Sequence, residues 1–267
     1  MERPDWQSEE FDPDQPNPAR VYDYFLGGSH NLAADREAAA RILAALPDAA
    51  LMNQANRAFL RRAVLYCVEA GIRQFLDLGS GIPTVGNVHE VAQRAAPDSR
   101  IVYVDIEPVA VAHSRAILVG NSRVAVLQAD VRDPDRILGD PVLRGLLDLA
   151  RPVAVLMVAV LPFVNDAADP WRIVARYRDA VGSGSYLAIS HGTTEGRPEL
   201  AEVQDAYRGT TTQITLRSRD QVARFFTGFE LVDPGVVFVQ QWRPDWLGEV
   251  EGHPEWSSIY CGVGRKP

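Results

Sequence analysis

Lysine and cysteine are scarce in this chain of 267 residues. Lys266 is the only lysine, so the basic residues are otherwise arginines, and the formal net charge is −8. Such a chain repels the phosphates of nucleic acid unless its cations cluster, and here they are spread along the sequence. The two cysteines, Cys67 and Cys261, show no CxxC spacing, so we expect thiols in a reducing compartment and not disulfides. We therefore expect no nucleic-acid partner.

Long apolar runs are also missing. The longest, Val153–Val164, is interrupted by Pro162 and is too short to cross a bilayer. No basic leader with a small-residue cleavage site opens the sequence. These features predict a cytoplasmic protein with no membrane partner.

The patterns along the chain divide it into three parts. An arm over residues 1–17 is rich in proline and acidic residues and is predicted to be disordered. Residues 18–70 carry two helical patterns, at 35–46 and 53–69, which we interpret as an N-terminal helical cap over the edge of the sheet that binds ligand. From 71 to 267 strand and helix patterns alternate, which is typical of a doubly wound α/β domain with a mostly parallel sheet.

The strands of this domain are read from short apolar segments. The predicted parallel strands are Gln74–Leu78, Arg100–Val104, Val124–Gln128, Val153–Val158 and Tyr186–Ser190. The helices predicted between and after them cover residues 85–96, 108–119, 133–150, 169–181 and 218–226. Three further apolar segments are expected to close the sheet, one pair of them antiparallel, at residues 229–232, 236–242 and 259–263.

A glycine-rich turn follows the first strand, in the sequence Asp77-Leu-Gly-Ser-Gly-Ile-Pro-Thr84. Gly79 and Gly81 have no Cβ, so the turn can be tight and a ligand can lie against bare backbone. The helix behind the turn adds amide donors. A glycine pair alone is weak evidence, because an ordinary structural turn has the same composition.

Acidic residues end the next two strands and make a ligand site more plausible than a simple turn. Asp105 follows the second strand, where a carboxylate can accept both hydroxyls of a ribose. Asp130 follows the third strand, where it can accept the exocyclic amine of adenine while Val131 offers its backbone. The alternative for Asp130 is a cap for the helix that begins at Asp133 and Pro134.

The combination of Asp77-x-Gly79-x-Gly81 with Asp105 and Asp130 resembles class I methyltransferases that depend on S-adenosylmethionine (SAM). A nicotinamide site fits less well, because its G-x-G-x-x-G fingerprint needs glycine where Thr84 stands. The resemblance implies a Rossmann-like sheet of seven strands, SAM as the cofactor and S-adenosylhomocysteine (SAH) as the product. The cofactor contacts that it implies are Asp77, Gly79, Ser80, Gly81, Pro83, Asp105, Ile106, Asp130, Val131, Ala159, Tyr22 and Arg57.

From Pro16 onward the chain also resembles a narrower group, the actinobacterial S-adenosyl methyltransferase family first described as a domain of unknown function. The matching blocks are the glycine turn and residues 19–28, 56–62, 87–90 and 234–237. Members of the family commonly have a histidine before the phenylalanine that corresponds to Phe163, whereas this chain has Pro162 there. Any role of that histidine is therefore not expected in this protein. Glu107 stands where aspartate is usual, which keeps the charge. The resemblance does not identify the methyl acceptor.

The reaction leaves the protein few chemical tasks, because a sulfonium methyl is already electrophilic. If the acceptor needs deprotonation, the candidates are Tyr22, His30 and His191, although each histidine also suits a surface or hydrogen-bonding role. Arg57 or Arg20 can bind the cofactor carboxylate through a planar fork. The aromatic segment around Tyr22 can cover the cofactor or fasten the cap to the sheet.

Other chemistries fit the sequence poorly. The five histidines lack the spacing of metal ligands, so no metal is predicted. No G-x-S-x-G elbow is present, which argues against a hydrolase. Two hypotheses remain: a methyltransferase for a small-molecule acceptor, and a regulatory SAM-binding protein without turnover. The sequence is compatible with a homodimer but does not require one.

Overall fold

A computed structural model describes residues 12–83, 86–200, 214–245 and 252–267. Its α-helices are α1 Pro18–Phe25, α2 Ala33–Ala45, α3 Ala49–Glu69, α4 Val88–Ala95, α5 Pro108–Ile117, α6 Pro134–Gly139, α7 Pro141–Leu146, α8 Pro170–Ala180 and α9 Arg219–Arg224. Its strands are β1 Gln74–Leu78, β2 Arg100–Asp105, β3 Val124–Gln128, β4 Ala154–Val158, β5 Tyr186–Gly192, β6 Glu230–Leu231, β7 Val237–Phe238 and β8 Ile259–Arg265. None of the helices in these ranges has the length and apolarity needed to span a lipid bilayer.

The strands form one mixed sheet in the order β3-β2-β1-β4-β5-β8-β6, with β7 also paired to β8. The first five are parallel, and β8 runs antiparallel to β5. The first strand of the sheet in chain order, β1, lies near its centre. The chain then adds β2 and β3 on one side of β1 and returns to add β4 on the other side. Open sheets of this kind bind ligands at such a reversal, beyond the carboxyl ends of the strands.

Over the described ranges the sheet has eight strands, so the prediction of seven is wrong in number. Both β6 and β7 pair with the same side of β8: Leu231 lies opposite Gly264, and Phe238 lies opposite Tyr260. A turn in which the amide of Gly235 donates to the carbonyl of Val232 separates the two strands. The seventh position of the sheet is therefore occupied by two short strands, because the chain leaves the ladder at this turn.

The core lies on both faces of the sheet, as expected for parallel strands that are buried on each side. Successive residues of β1 point to opposite faces, so Phe75 joins the core under α3 and α4, while Leu76 joins the core under α6 to α8. Both side chains are fully buried. This double packing holds the carboxyl end of β1 in place, where the glycine turn begins.

One predicted helix is wrong. The pattern from Asp133 to residue 150 folds as two short helices, α6 and α7, which meet at Asp140. Pro141 has no amide hydrogen and cannot continue α6, and the side chain of Asp140 instead caps α7 by accepting the amide of Val142 at 2.8 Å. Elsewhere the capping signals are confirmed, including the Ser218 and Gln221 capping box of α9.

The first described residues are held by a buried ion-pair cluster. Asn17 caps α1 by accepting the amide of Ala19 at 2.8 Å. Arg20, which is 2% exposed, contacts Asp35 at 2.7 Å and Glu107 at 3.0 Å. These bonds fix α1 against α2 and the β2–α5 connection. Residues 1–11 of the predicted arm lie outside the described ranges.

Candidate active site

The turn after β1 is tight and leaves its backbone bare. Gly79 and Gly81 have φ angles of +73° and +65°, which L-residues with side chains rarely adopt. A Cβ on Gly79 would lie 2.3 Å from Cγ2 of Val160, so only glycine fits there. A Cβ on Gly81 would meet no atom within 4 Å, which shows open space beside this residue.

Asp105 ends β2 and holds this turn in position. Its Oδ2 accepts the amide of Gly81 at 2.7 Å, and its Oδ1 accepts the amide of Glu107 at 2.9 Å. Burial raises the pKa of Asp105, and the backbone hydrogen bonds partly oppose that rise. A carboxylate has about four lone-pair positions, so Asp105 keeps some acceptor capacity beyond its backbone hydrogen bonds.

Asp77, at the end of β1, is a buried carboxyl group. Burial raises its pKa to about 7, while the positive charge of Arg57 opposes the rise and the negative charge of Asp105 adds to it. Arg57 projects from α3 and donates to Oδ1 of Asn87 at 2.9 Å. A basic and an acidic group therefore lie together where β1 passes into the glycine turn.

Asp130, beyond β3, is held by an arginine that the sequence analysis did not anticipate. Arg132 Nε donates to Oδ1 at 2.9 Å and to Oδ2 at 2.8 Å, and the amide of Arg132 donates to Oδ1 at 2.8 Å. Burial alone would raise the pKa of Asp130, but its hydrogen bonds to Arg132 outweigh burial and hold the pKa below its usual value. The carbonyl of Val131 accepts the hydroxyl of Tyr177 at 3.1 Å.

The wall beyond β4 is built on a strained residue. Ala159 has a φ angle of +60°, which is unusual for a residue with a side chain and costs of the order of 1 kcal/mol. Its amide donates to the carbonyl of Ser190 at 3.2 Å. The chain then turns through a 3₁₀-helix at Leu161–Phe163. Pro162 and Phe163 thereby face the space above the sheet.

The helices α1 and α3 close the site from above. Tyr22 donates its hydroxyl to the carbonyl of Asn53 at 3.3 Å and accepts Nδ2 of Asn56 at 3.0 Å. Oδ1 of Asn56 accepts the hydroxyl of Ser190 at 2.6 Å, which links α3 to β5. Burial raises the pKa of Tyr22, and the charge of Arg57 opposes this. Tyr22 therefore keeps its proton at neutral pH.

These parts enclose a cavity of about 300 Å³ at the carboxyl ends of the strands. Of the residues predicted to bind cofactor, the cavity is lined by Tyr22, Arg57, Asp77, Gly79, Ser80, Gly81, Asp105, Ile106, Asp130, Val131 and Ala159. Pro83 instead lines a small adjoining pocket that shares Arg57, Asp77, Ser80 and Gly81 with the cavity. Oγ of Ser80 is buried without a hydrogen-bond partner among the residues described. Such an unsatisfied group fits a ligand with polar atoms.

The two histidines predicted as bases lie outside this cavity. His30 packs against His113 with ring centroids 4.1 Å apart and the rings tilted by 57°, and its Nδ1 lies 3.9 Å from Oδ1 of Asp23. His191 is fully buried, and burial lowers its pKa to about 3. Nε2 of His191 accepts a hydrogen bond from Nη1 of Arg217 at 2.7 Å. Its lone pair is therefore occupied and cannot take a proton from a methyl acceptor.

Arg217 is a structural residue that sequence reasoning missed. Its guanidinium donates to the carbonyls of Leu161 and Val164 at 3.1 and 2.7 Å and to Asp166 at 2.6 Å, as well as to His191. It therefore holds the segment that forms the β4 wall of the cavity. No local motif marks this arginine, because its partners are distant in sequence. Asn56, by contrast, could have been predicted as a site residue, because it adjoins Arg57 in a sequence block that resembles the family.

No group of three or more His, Cys, Asp and Glu side chains is arranged to hold a metal ion in residues 12–83, 86–200, 214–245 and 252–267. The polar groups that line the cavity are instead backbone amides, carboxylates and the guanidinium groups of Arg57 and Arg132, which suits a polar organic cofactor.

Comparisons with known proteins establish the family. A model of the S-adenosyl methyltransferase family matches residues 4–267. This chain belongs to that family. As an S-adenosyl methyltransferase, the protein is an enzyme whose cofactor is SAM, so the family resemblance and the cofactor predicted from the sequence are confirmed.

Solved structures support the same placement of this S-adenosyl methyltransferase. A candidate methyltransferase from Thermobifida fusca is 40% identical, with 98% of this chain and 99% of that chain covered and a TM-score of 0.91. A DUF574 family protein from Streptomyces avermitilis is 42% identical, with coverages of 96% and 99% and a TM-score of 0.92. Human N-acetylserotonin methyltransferase, solved with SAM, is 15% identical, with coverages of 94% and 63% and a TM-score of 0.50, and shows the fold alone. A search of curated proteins found no match.

Proposed function

We propose that this methyltransferase holds SAM in the cavity above β1 to β4 and transfers the methyl group to a small-molecule acceptor. The observation that carries the proposal is that the buried carboxylate of Asp105, a bare glycine turn and the Ser80 hydroxyl, which has no hydrogen-bond partner among the described residues, lie in the same cavity. Taken together, these groups are more specific evidence for an adenosyl compound than any one of them alone.

In this proposal the adenosine lies across the ends of β2 and β3. Asp105 uses its remaining acceptor capacity for the ribose hydroxyls. Ile106, which is 57% exposed, offers an apolar face for the purine. Asp130 can accept the exocyclic amine only by giving up part of its fork with Arg132, so we expect Arg132 to move when the cofactor binds.

The amino-acid end of the cofactor then lies near β1 and α3. Arg57 supplies a planar fork for the carboxylate, and the buried Asp77 supplies a negative charge for the ammonium group. Arg20, the other arginine considered from the sequence, is committed to Asp35 and Glu107. We therefore assign the carboxylate to Arg57.

SAM supplies an electrophilic methyl group on a sulfonium sulfur when it is bound. The residues of this chain have three tasks: they orient the acceptor for in-line attack, exclude water and tolerate the charge change. We assign Tyr22 to orientation, since its hydroxyl keeps its proton and is fixed by Asn53 and Asn56. We assign no proton transfer to His30 or His191, because neither lines the cavity.

The size of the cavity and the negative net charge favour a small acceptor over nucleic acid. Cys67 and Cys261 are buried free thiols, which accords with the predicted cytoplasmic location. A homodimer through the last strands stays a prediction.

The proposal is tested in two steps. Calorimetric titration with SAM and SAH should give one site per chain, and the Asp105→Ala variant should bind both more weakly. Incubation with methyl-labelled SAM and fractions of a metabolite extract should then label a small molecule. Binding without label transfer across all fractions would favour the regulatory alternative, and no binding at all would refute the proposed site.

A further inference from the structure

The cavity is divided by charge. Among the residues that the structure describes, the charged side chains that line it are Arg57, Asp77, Asp105, Glu107, Asp130 and Arg132. Apart from Arg57, all of them lie at the carboxyl end of β1, β2 or β3 or just after it, and Arg57 faces Asp77. The strand order places these three ends on one side of the reversal and β4, β5 and β8 on the other. The charges therefore lie on the side assigned to the cofactor.

The other side is apolar. The described residues that line it beyond β4, β5 and β8 and from the facing segments are Phe25, Leu60, Val158, Ala159, Val160, Pro162, Phe163, Val164, Gly192, Ile214, Leu216 and Ile259. Leu60 and Val164 are almost fully buried, at 4% and 2% exposure. These side chains offer dispersion contacts and no charge to a bound molecule.

Within the ranges that the structure describes, the polar groups that face this side are neutral and already paired. The amide of Asn56 is shared between Tyr22 and Ser190, and Nδ2 of Asn53 donates to the carbonyl of Ala49 at 2.7 Å. Burial keeps Tyr22 in its neutral form. A charged acceptor placed here would lose its hydration without gaining a counter-ion, which is costly in an apolar environment.

Resting on the proposed function, we infer that the methyl acceptor is an uncharged, apolar ring compound that carries one nucleophilic hydroxyl or nitrogen. The ring packs between Leu60, Phe163 and Leu216, and the nucleophile points toward the cofactor. In the transfer, a lone pair of the acceptor forms a bond to the methyl carbon, the carbon–sulfur bond breaks with its electron pair moving to sulfur, and any proton on the nucleophile passes to water.

The inference is tested with probes that share one ring and one nucleophile. 2-Naphthol, 6-hydroxy-2-naphthoate and a naphthol with an ammonium side chain are titrated by calorimetry into the SAH-loaded enzyme. We expect 2-naphthol to bind at least about tenfold more tightly than either charged probe, because only it avoids an uncompensated buried charge. Equal affinities, a preference for a charged probe, or no binding of 2-naphthol would overturn the inference.

A substitution at Leu216 sharpens the test, because this side chain is only partly buried and lines the apolar side. Leu216→Lys should reverse the order, so that 6-hydroxy-2-naphthoate binds more tightly than 2-naphthol. Leu216→Met keeps volume and apolarity and should preserve the wild-type order. An unchanged order in Leu216→Lys would place the acceptor elsewhere. The affinity for SAH, measured on each variant, reports separately on the cofactor site.

Discussion

Replacing Asp77 with asparagine should stabilise the cofactor-free enzyme above neutral pH and weaken its binding of SAM. Burial raises the pKa of Asp77 to about 7, although Arg57 opposes the rise. The folded protein therefore carries an unfavourable buried charge at pH 8. Asparagine has a similar shape and no charge, so it removes this cost. The same change removes the negative partner that we propose for the ammonium group of SAM.

The magnitude follows from the pKa. A rise from the ordinary value of 3.8 to about 7 corresponds to about 4 kcal/mol of unfavourable free energy for the ionised group. Between pH 3.8 and about pH 7, Asp77 is protonated in the folded protein and ionised in the unfolded chain. The stability of the wild-type enzyme thus falls as pH rises through this window. The asparagine variant should match the wild type near pH 4 and exceed it by about 2 to 4 kcal/mol at pH 8.

The assay is urea unfolding of both proteins from pH 4.5 to 8, because the other titrating groups cancel in the difference between them. Asp98→Asn is a matched control for the loss of one carboxylate, since the Asp98 side chain is 68% exposed and its ion pair with Arg73 lies at the surface, so its effect on stability at pH 8 should be much smaller than that of Asp77→Asn. An Asp77→Asn variant less stable than wild type at pH 8, or a difference independent of pH, would refute the reasoning.

Four further outcomes are expected. Calorimetry in buffers of different ionisation enthalpy should detect proton release from Asp77 when SAM binds near pH 6, and none in Asp77→Asn. Asp105→Ala should weaken SAM binding by about 1 to 3 kcal/mol, measured by titration, and unchanged affinity would exclude the ribose role. Gly81→Val should abolish SAM binding, because its side chain enters the open space assigned to the cofactor, and it should also lower the free energy of unfolding by about 1 to 3 kcal/mol, because valine is strained at a φ of +65°. Arg217→Ala should lower the free energy of unfolding by about 2 to 4 kcal/mol in urea titrations, since it leaves the carbonyls of Leu161 and Val164 and Nε2 of His191 without their donor.

Much of the fold was predictable because its determinants are local. The parallel strands are short apolar runs bounded by turn residues, and β1 and β3 have the predicted limits. Two features were harder to predict: the division of the edge strand into β6 and β7, and the division of the predicted helix at Asp140 into α6 and α7. Each depends on one turn or proline inside a pattern that is otherwise continuous. Periodicity averages over several residues and does not register such single breaks.

The same distinction applies to the site. The positions of Asp105 and Gly81 followed from strand ends, because the carboxyl ends of parallel strands meet at one edge of the sheet. The environments of His191 and Asp130 did not follow, because they depend on Arg217 and on the rotamer of Arg132. Sequence indicates which residues approach a site, whereas burial and pairing decide which of their atoms remain available.

The most direct test of the account is a crystal structure of the enzyme with SAH. The account predicts that the adenosine lies against Gly79 and Gly81, with both ribose hydroxyls within hydrogen-bond distance of the Asp105 carboxylate. SAH bound at another surface, or in this cavity with its ribose away from Asp105, would contradict it.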